Sequence, residues 1–304
     1  MASPAEETQD AITEEEIQGT IVPPASSTSI HPNRNACNIF SHQTSPSLTK
    51  PLLTSPVTEL MHHKSRKTTI VPPTSPHEKP VVFAGRLGLG AYTHNPAAFP
   101  PSDVIFYNDI AVAVNDLYPK SSVHTLLLPR SERNLLHPFD AFEDAAFLAA
   151  TIAESEKLRA LVAKELRRRY GKLSKLDQAR ERVLNGEAEV PEGEELPKGR
   201  DWESEVMMGI HAHPSMSHLH VHVISVDRYS ECMKNRAHYN SFTTPFFVPL
   251  DAFPLGQDDP RRDPGEAGYL SQDLKCWRCS AGFGRSFARL KEHLAVEFEA
   301  WKRL

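Results

Sequence analysis

The sequence predicts an α+β domain on a mainly antiparallel sheet, preceded by a low-complexity tail and followed by a small C-terminal unit. Three observations carry this reading. Short runs rich in β-branched residues sit close together in the chain, as hairpins require. One long stretch of helical periodicity separates two groups of such runs. The composition also changes character near residues 80 and 250.

Residues 1–80 hold 11 of the 25 prolines, and 32 of those 80 residues are Pro, Ser or Thr. A segment so poor in apolar surface cannot offset its ordering entropy, which predicts a disordered tail. Thr-Ser-Pro occurs at 44–46, 54–56 and 74–76, a pattern that proline-directed kinases could use, or a product of composition alone. The basic cluster His62-His63-Lys64-Ser65-Arg66-Lys67 could assist nuclear import, and a nucleus is the expected location. Val104–Tyr107 and Ile110–Val114 read as strands around an Asn108-Asp109 turn, and Val123–Leu128 as a third. Apolar residues from Phe142 to Leu166 predict a long amphipathic helix over about 138–170, whose drifting phase allows a break. Residues 171–200 are charged and punctuated by Gly and Pro, as in an insertion. Glu205–Ile210 and Leu219–Val226 read as two more strands. The domain is expected at 81–250, with a linker at 251–272 and the terminal unit at 273–304.

Charge and cysteine content narrow the function classes. Over 304 residues the net charge is −5, which argues against a uniformly basic nucleic-acid coat but not against a local basic surface. Cys37, Cys232, Cys276 and Cys279 are too few and too unevenly spaced for a disulfide framework. No apolar run reaches 18 residues, and no signal-peptide core is present, so a soluble intracellular protein with no membrane partner is expected. The glycines of Gly85-Arg86-Leu87-Gly88-Leu89-Gly90 are in the wrong order for a dinucleotide fingerprint. No Lys-Ser/Thr follows as a P-loop needs, so a nucleotide loop is rejected.

The most informative segment is His211-Ala-His213-Pro-Ser215-Met-Ser217-His218-Leu-His220-Val-His222. At period two, His218, His220 and His222 share one face while Leu219, Val221 and Val223 take the core face. That polar face has three readings: a solvated face, a transition-metal site built on His-x-His, or nucleophilic catalysis on a phosphate. The last needs a neutral imidazole held through its far nitrogen, with donors such as Ser215 and Ser217 around the phosphoryl oxygens.

His218-Leu-His220-Val-His222-Val-Ile resembles the signature of histidine-triad (HIT) nucleotide hydrolases and transferases. Pro214–Ser225 and the run Lys234-Asn-Arg236-Ala-His238-Tyr-Asn-Ser-Phe242 are closer still to the aprataxin family, as is Asp116-Leu-Tyr-Pro119-Lys120 followed by His124. The resemblance covers about 104–250 plus the C-terminal unit, and implies a HIT-type antiparallel sheet. It implies that His220 is the nucleophile, that His222 holds the phosphate, that His218 orients the nucleophile, and that Ser215 donates to the α-phosphate. His211, or His213, would assist the leaving group; Asp116 would bind the ribose, Lys120 the phosphate region, and His124 would be structural, behind the sheet. Animal relatives carry an N-terminal phosphopeptide-binding domain, and nothing in residues 1–80 resembles one.

Cys276-Trp-Arg-Cys279, thirteen residues, His293, three residues and Glu297 have zinc-finger spacing with Glu as the fourth ligand. His293 and Glu297 fall on one face of a helix expected over about 286–302. The run resembles aprataxins with a Cys2HisGlu finger, implying one structural Zn2+ per chain and no metal for chemistry. Residues 274–304 carry seven basic and three acidic residues, a net of +4 in an acidic chain. Arg285 and Arg289, with Lys234 and Arg236, are the expected contacts to DNA phosphates. The function implied is a DNA-repair hydrolase acting on phosphorus anhydride bonds. It would remove AMP from 5′-adenylated DNA at nicks, breaks or RNA–DNA junctions through an adenylyl-histidine. A general dinucleotide or phosphoramidate hydrolase and a non-enzymatic DNA-binding scaffold are the alternatives. Protein partners of the tail are not readable.

Overall fold

The structure is a computed structural model that describes residues 68–71, 81–190 and 192–304. Most of the expected tail, with its Thr-Ser-Pro repeats and its 62–67 basic cluster, lies outside the described residues. Thr68–Val71, inside the segment expected to lack structure, forms strand β1. Its β-branched sequence Thr-Thr-Ile-Val pairs antiparallel with β2, Val81–Ala84. Helix α1 is a single short turn at Gly90–His94.

The central sheet starts with β3 (Val104–Tyr107) and β4 (Ala111–Asn115). They join where the Asn108 side-chain oxygen accepts from the amides of Ile110 and Ala111, the local bonding that makes Asn a turn residue. Strand β5 follows at His124–Pro129. The expected helix over 138–170 is two helices, α2 at Pro138–Ala141 and α3 at Ala145–Tyr170. The break falls where the Asp144 carboxylate accepts from Phe147 N–H, a new N-cap that restarts the helix in a different phase. Arg167, Arg168 and Arg169 close α3, where cations suit the negative end of the helix dipole.

The charged insertion is not a bare loop, since it contains helix α4, Gln178–Leu184. Strands β6 (Val206–His211) and β7 (Val221–Ser225), helix α5 (Arg236–Thr243) and strand β8 (Phe247–Pro249) complete the domain. The sheet runs β3-β4-β5-β7-β6-β8, antiparallel throughout. Leu127, Val221 and Val223 bury one face against Leu158, Val162 and Leu166 of α3. The other face carries Leu126, Leu128 and Val112 under Leu89 and Tyr92, and beside them the histidines.

Residues 251–272, expected as a linker, pack against the domain. Tyr269 is buried with Phe246, and Asn240 of α5 donates to the carbonyls of Leu270 and Gln272. Paired backbone carbonyls facing a buried amide side chain turn a spacer into part of the core boundary. The terminal unit is a hairpin, β9 (Leu274–Lys275) with β10 (Gly282–Gly284), followed by helix α6, Phe287–Lys302. Among the described residues no helix is long and apolar enough to cross a membrane.

Candidate active site and metal centre

Sheet order brings the site together. Strand β5 lies beside β7, so His124 and His222, 98 residues apart, meet with Nε2 to Nδ1 at 2.9 Å. His124 is therefore not behind the sheet, as its resemblance implied; its ring lies on the histidine face, 5.1 Å from that of His222 between centroids. Strand pairing in β7 begins at Val221, so His218 and His220 occupy the extended run just before it, outside the ladder. That placement leaves the His218 carbonyl free to face the His220 ring.

Two hydrogen bonds to main-chain groups determine where the ring protons sit. The Lys120 amide can only donate, and it donates to His124 Nδ1 at 3.1 Å. The proton of neutral His124 is then on Nε2, which donates to His222 Nδ1 and leaves the His222 proton on Nε2. His222 Nε2 is buried with no partner among the described residues, an N–H donor left unused by the protein. A carbonyl can only accept, so His220 Nδ1 donates to His218 O at 2.8 Å. His220 Nε2 therefore keeps its lone pair. One histidine thus presents a bare ring nitrogen and its neighbour an N–H.

Burial keeps these rings neutral. Desolvation lowers the pKa of His220 against opposing pulls from the His218 carbonyl and Asp116, and drives those of His211 and His222 well below the ordinary 6.5, where neighbouring imidazoles add to the shift. His124 is lowered to about 4 by burial, against an opposing pull from Asp116. Phe242 of α5 supplies much of the apolar surface, with its ring 4.7 Å from His211, 5.2 Å from His222 and 5.5 Å from His124. Nothing in the spacing of the histidines pointed to Phe242. The only signal was its place in the Asn-Ser-Phe run of α5.

The remaining expected residues fall as follows. His211, at the end of β6, is buried with its ring 4.4 Å from that of His222 and Nε2 unpartnered, while His213 is exposed. Ser215 Oγ is buried and unpartnered. Asp116 sits at the rim, accepting from Tyr118 N–H at 2.7 Å and lying 3.4 Å from His124 Nδ1. Lys120 is buried, with Nζ donating to the Cys232 carbonyl. The glycine run rejected as a nucleotide loop forms a wall of this site. Arg86 O accepts from Ser217 N–H, and a Cβ on Gly90 would lie 2.6 Å from His218 Cε1. Only glycine permits that approach.

Asp116, His124 and His222 also converge closely enough to suggest a metal cluster. The bonds just described already use the lone pairs of both Nδ1 atoms, which disfavours the His-x-His metal reading. The second cluster, Cys276, Cys279, His293 and Glu297, has all four ligand atoms within 4.8 Å of one another. His293 Nε2 lies 3.2 Å from Cys279 Sγ and 3.3 Å from Glu297 Oε1. Two thiols, an imidazole and a carboxylate at such separations fit tetrahedral zinc. Arg278 donates to the other Glu297 oxygen at 2.6 Å, orienting the carboxylate as an outer partner of the metal. Arg278 thus drops out of the finger's free positive charge. Arg285 and Arg289 are exposed at the start of α6. Lys234 is exposed before α5, and Arg236 opens it with one guanidinium nitrogen buried and unpartnered.

Two family models match the segments that carry these clusters. Residues 99–229 match the HIT domain, and residues 243–300 match the C2HE / C2H2 / C2HC zinc-binding finger. An aprataxin-like protein of Schizosaccharomyces pombe is 35% identical over 71% of this chain and 82% of its own length. An aprataxin-like protein of Saccharomyces cerevisiae is 31% identical over 71% of this chain and 96% of its own. The chain belongs to the aprataxin family. Among solved structures, the aprataxin ortholog Hnt3 in complex with DNA superposes with a TM-score of 0.55 at 30% identity, covering 71% of this chain and 96% of that one. Hnt3 in complex with DNA and guanosine gives 0.53 at 32% identity, with the same coverage. The aprataxin match to the HIT model begins at residue 99, so the wall built by Arg86 and Gly90 lies outside it.

Two outcomes follow from these centres. The unfolded chain's histidines titrate near 6.5, whereas the buried His124 resists protonation until about 4. Below 6.5 the unfolded state binds more protons, so stability is complete above that pH and falls as pH drops toward 4. Urea midpoints should decline across that window, and less steeply in His124→Gln; a flat profile would contradict the buried neutral cluster. Metal analysis should find about one zinc per chain, falling toward none in Cys276→Ser.

Proposed function

We propose that this chain hydrolyses 5′-adenylated DNA, releasing AMP and restoring the DNA 5′-phosphate. The observation that carries the proposal is the His220 tautomer: a buried, neutral ring with Nδ1–H on the His218 carbonyl and Nε2 bare. Nε2 would attack the AMP phosphorus, forming the P–N bond as the P–O bond to the DNA 5′-phosphate breaks. The His218 carbonyl then stabilises the positive charge arriving on the His220 ring. His222 Nε2–H and Ser215 Oγ–H would donate to the phosphoryl oxygens in a site shielded from water. His211, buried beside His222, suits the role of assisting the leaving phosphate better than the exposed His213. In the second step water attacks phosphorus, the P–N bond breaks, and His220 recovers its lone pair as AMP leaves. Asp116 at the rim would hold the ribose and Lys120 the phosphate region.

DNA is the preferred substrate because the finger carries exposed Arg285 and Arg289 and the neighbouring domain carries exposed Lys234, cations that a small nucleotide does not need. The Lys291–Glu231 ion pair at 3.7 Å joins the finger helix to the loop bearing Lys234. Two solved structures of the relative Hnt3 are complexes with DNA, which supports the same reading. One structural Zn2+ would serve the finger, with the chemistry left to imidazoles. A role in DNA single-strand break repair in the nucleus accords with that substrate. His220→Ala should lower AMP release from an adenylated nick by roughly three orders of magnitude or more while leaving duplex affinity intact. An adenylyl group trapped on any other residue would overturn the assignment.

A further inference from the structure

The charged insertion and the end of the finger helix close on one another around a single cation. Arg200 is 3% exposed and packs in the corner of two indoles that meet edge to face, 4.3 Å from Trp202 and 4.9 Å from Trp301. Its Nη1 donates to the Trp301 carbonyl at 2.7 Å, and its Nε and Nη2 donate to Glu205 Oε1 at 3.0 and 2.6 Å. Trp301 Nε1 donates to the other Glu205 oxygen at 2.8 Å, so cation, carboxylate and indole form a closed ring of bonds. Asp177 secures the remaining side. It is fully buried and accepts from Arg200 N–H at 3.0 Å and Trp202 Nε1–H at 2.6 Å. Gly199 makes this possible. Its φ is +72°, and a Cβ there would lie 2.0 Å from Asp177 Oδ1.

Where these groups are rooted gives the cluster its meaning. Trp301 belongs to α6, the helix that carries His293 and Glu297. Glu205 immediately precedes β6, whose far end is His211 in the catalytic pocket. Arg200 therefore ties the finger helix to the root of a catalytic strand, at the opposite end of α6 from the exposed Arg285 and Arg289. A buried guanidinium packed against two indoles and bonded on both sides is a rigid joint, since each partner would be left unpaired by a shift.

We infer that Arg200 is a positioning residue that fixes the zinc finger relative to the histidine pocket, so that a duplex held by the finger meets His220 in register. The inference rests on the proposed action on adenylated DNA. It predicts that Arg200 matters for DNA and not for a free adenine dinucleotide, which reaches His220 without the finger. A misplacement of about 1 Å at a reacting centre can cost on the order of a hundredfold.

The test uses the full chain and two variants, Arg200→Met and Gly199→Ala, the second breaking the joint without altering the cation. Turnover is measured on a 5′-adenylated nicked duplex and on a diadenosine polyphosphate, alongside zinc content and amide exchange over 287–302. The expected result is a loss of roughly tenfold or more in kcat/KM on DNA. Dinucleotide turnover and zinc should stay near wild type, with faster exchange in the finger helix. Parallel loss on both substrates would make Arg200 a brace for the whole fold, and no loss on either would leave the finger fixed elsewhere; each overturns the inference. If the wild type releases no AMP from DNA, the proposed function fails by itself. Plain-duplex affinity then decides: a fall of about tenfold in both variants supports the joint, and unchanged or absent binding overturns it.

Discussion

The amide of Lys120 donating to His124 is the contact on which the chemistry of this fold depends. A backbone N–H has no second role, so its direction propagates through His124 to His222 and fixes a donor at the pocket. The carbonyl of His218 does the converse for His220. Neither device uses a charge. The nearby carboxylate of Asp116, 3.4 Å from His124 Nδ1, pulls the pKa of His124 and His220 upward, and burial outweighs it. The His218 carbonyl bond raises the His220 pKa; burial, to which Phe242 contributes, acts the other way and prevails, leaving a cluster of histidines that resist charging.

The same economy of main-chain bonding joins the two domains. Tyr239 of α5 donates its hydroxyl to Lys275 O and accepts from Trp277 N–H, so it grips the backbone on both sides of Cys276. Asn240 holds the approach to β9, and Tyr229 stacks on Phe298 of α6 at 4.5 Å. The metal ligands thus sit on a backbone that the catalytic domain orients. Burial pushes the Cys276 thiol up, with the neighbouring Cys279 thiol adding to it, and metal binding must offset that resistance to ionisation.

What the sequence reveals follows the range of the interaction. The Cys-x2-Cys knuckle and the helical His293–Glu297 pair are local and are found where their spacing puts them, whereas of the His-x-His-x-His alternation only His222 lies on the strand. The Asn108 turn is local as well. His124 was misplaced because its role depends on a strand pairing across 98 residues. Arg278 was counted as a free cation because Glu297, its partner, is on another element. The 251–272 segment reads as a linker by composition, yet Asn240 holds its carbonyls. Thr68–Val71 shows the same limit, since a four-residue strand inside a Pro-rich tract gains its bonds only from β2. Gly90 belongs to a run rejected as a nucleotide loop, and its lack of a side chain makes room for His218, a contact that no local motif signals.

The central claim is a set of proton positions on three rings, and imidazole 15N NMR on histidine-labelled protein at neutral pH reads them directly. Assignments would come from His124→Gln, His220→Ala and His222→Ala. The account predicts His220 as the neutral Nδ1–H tautomer with Nε2 bare, and His124 and His222 as neutral Nε2–H tautomers. A His220 ring carrying its proton on Nε2, or a doubly protonated ring at neutral pH, would contradict it.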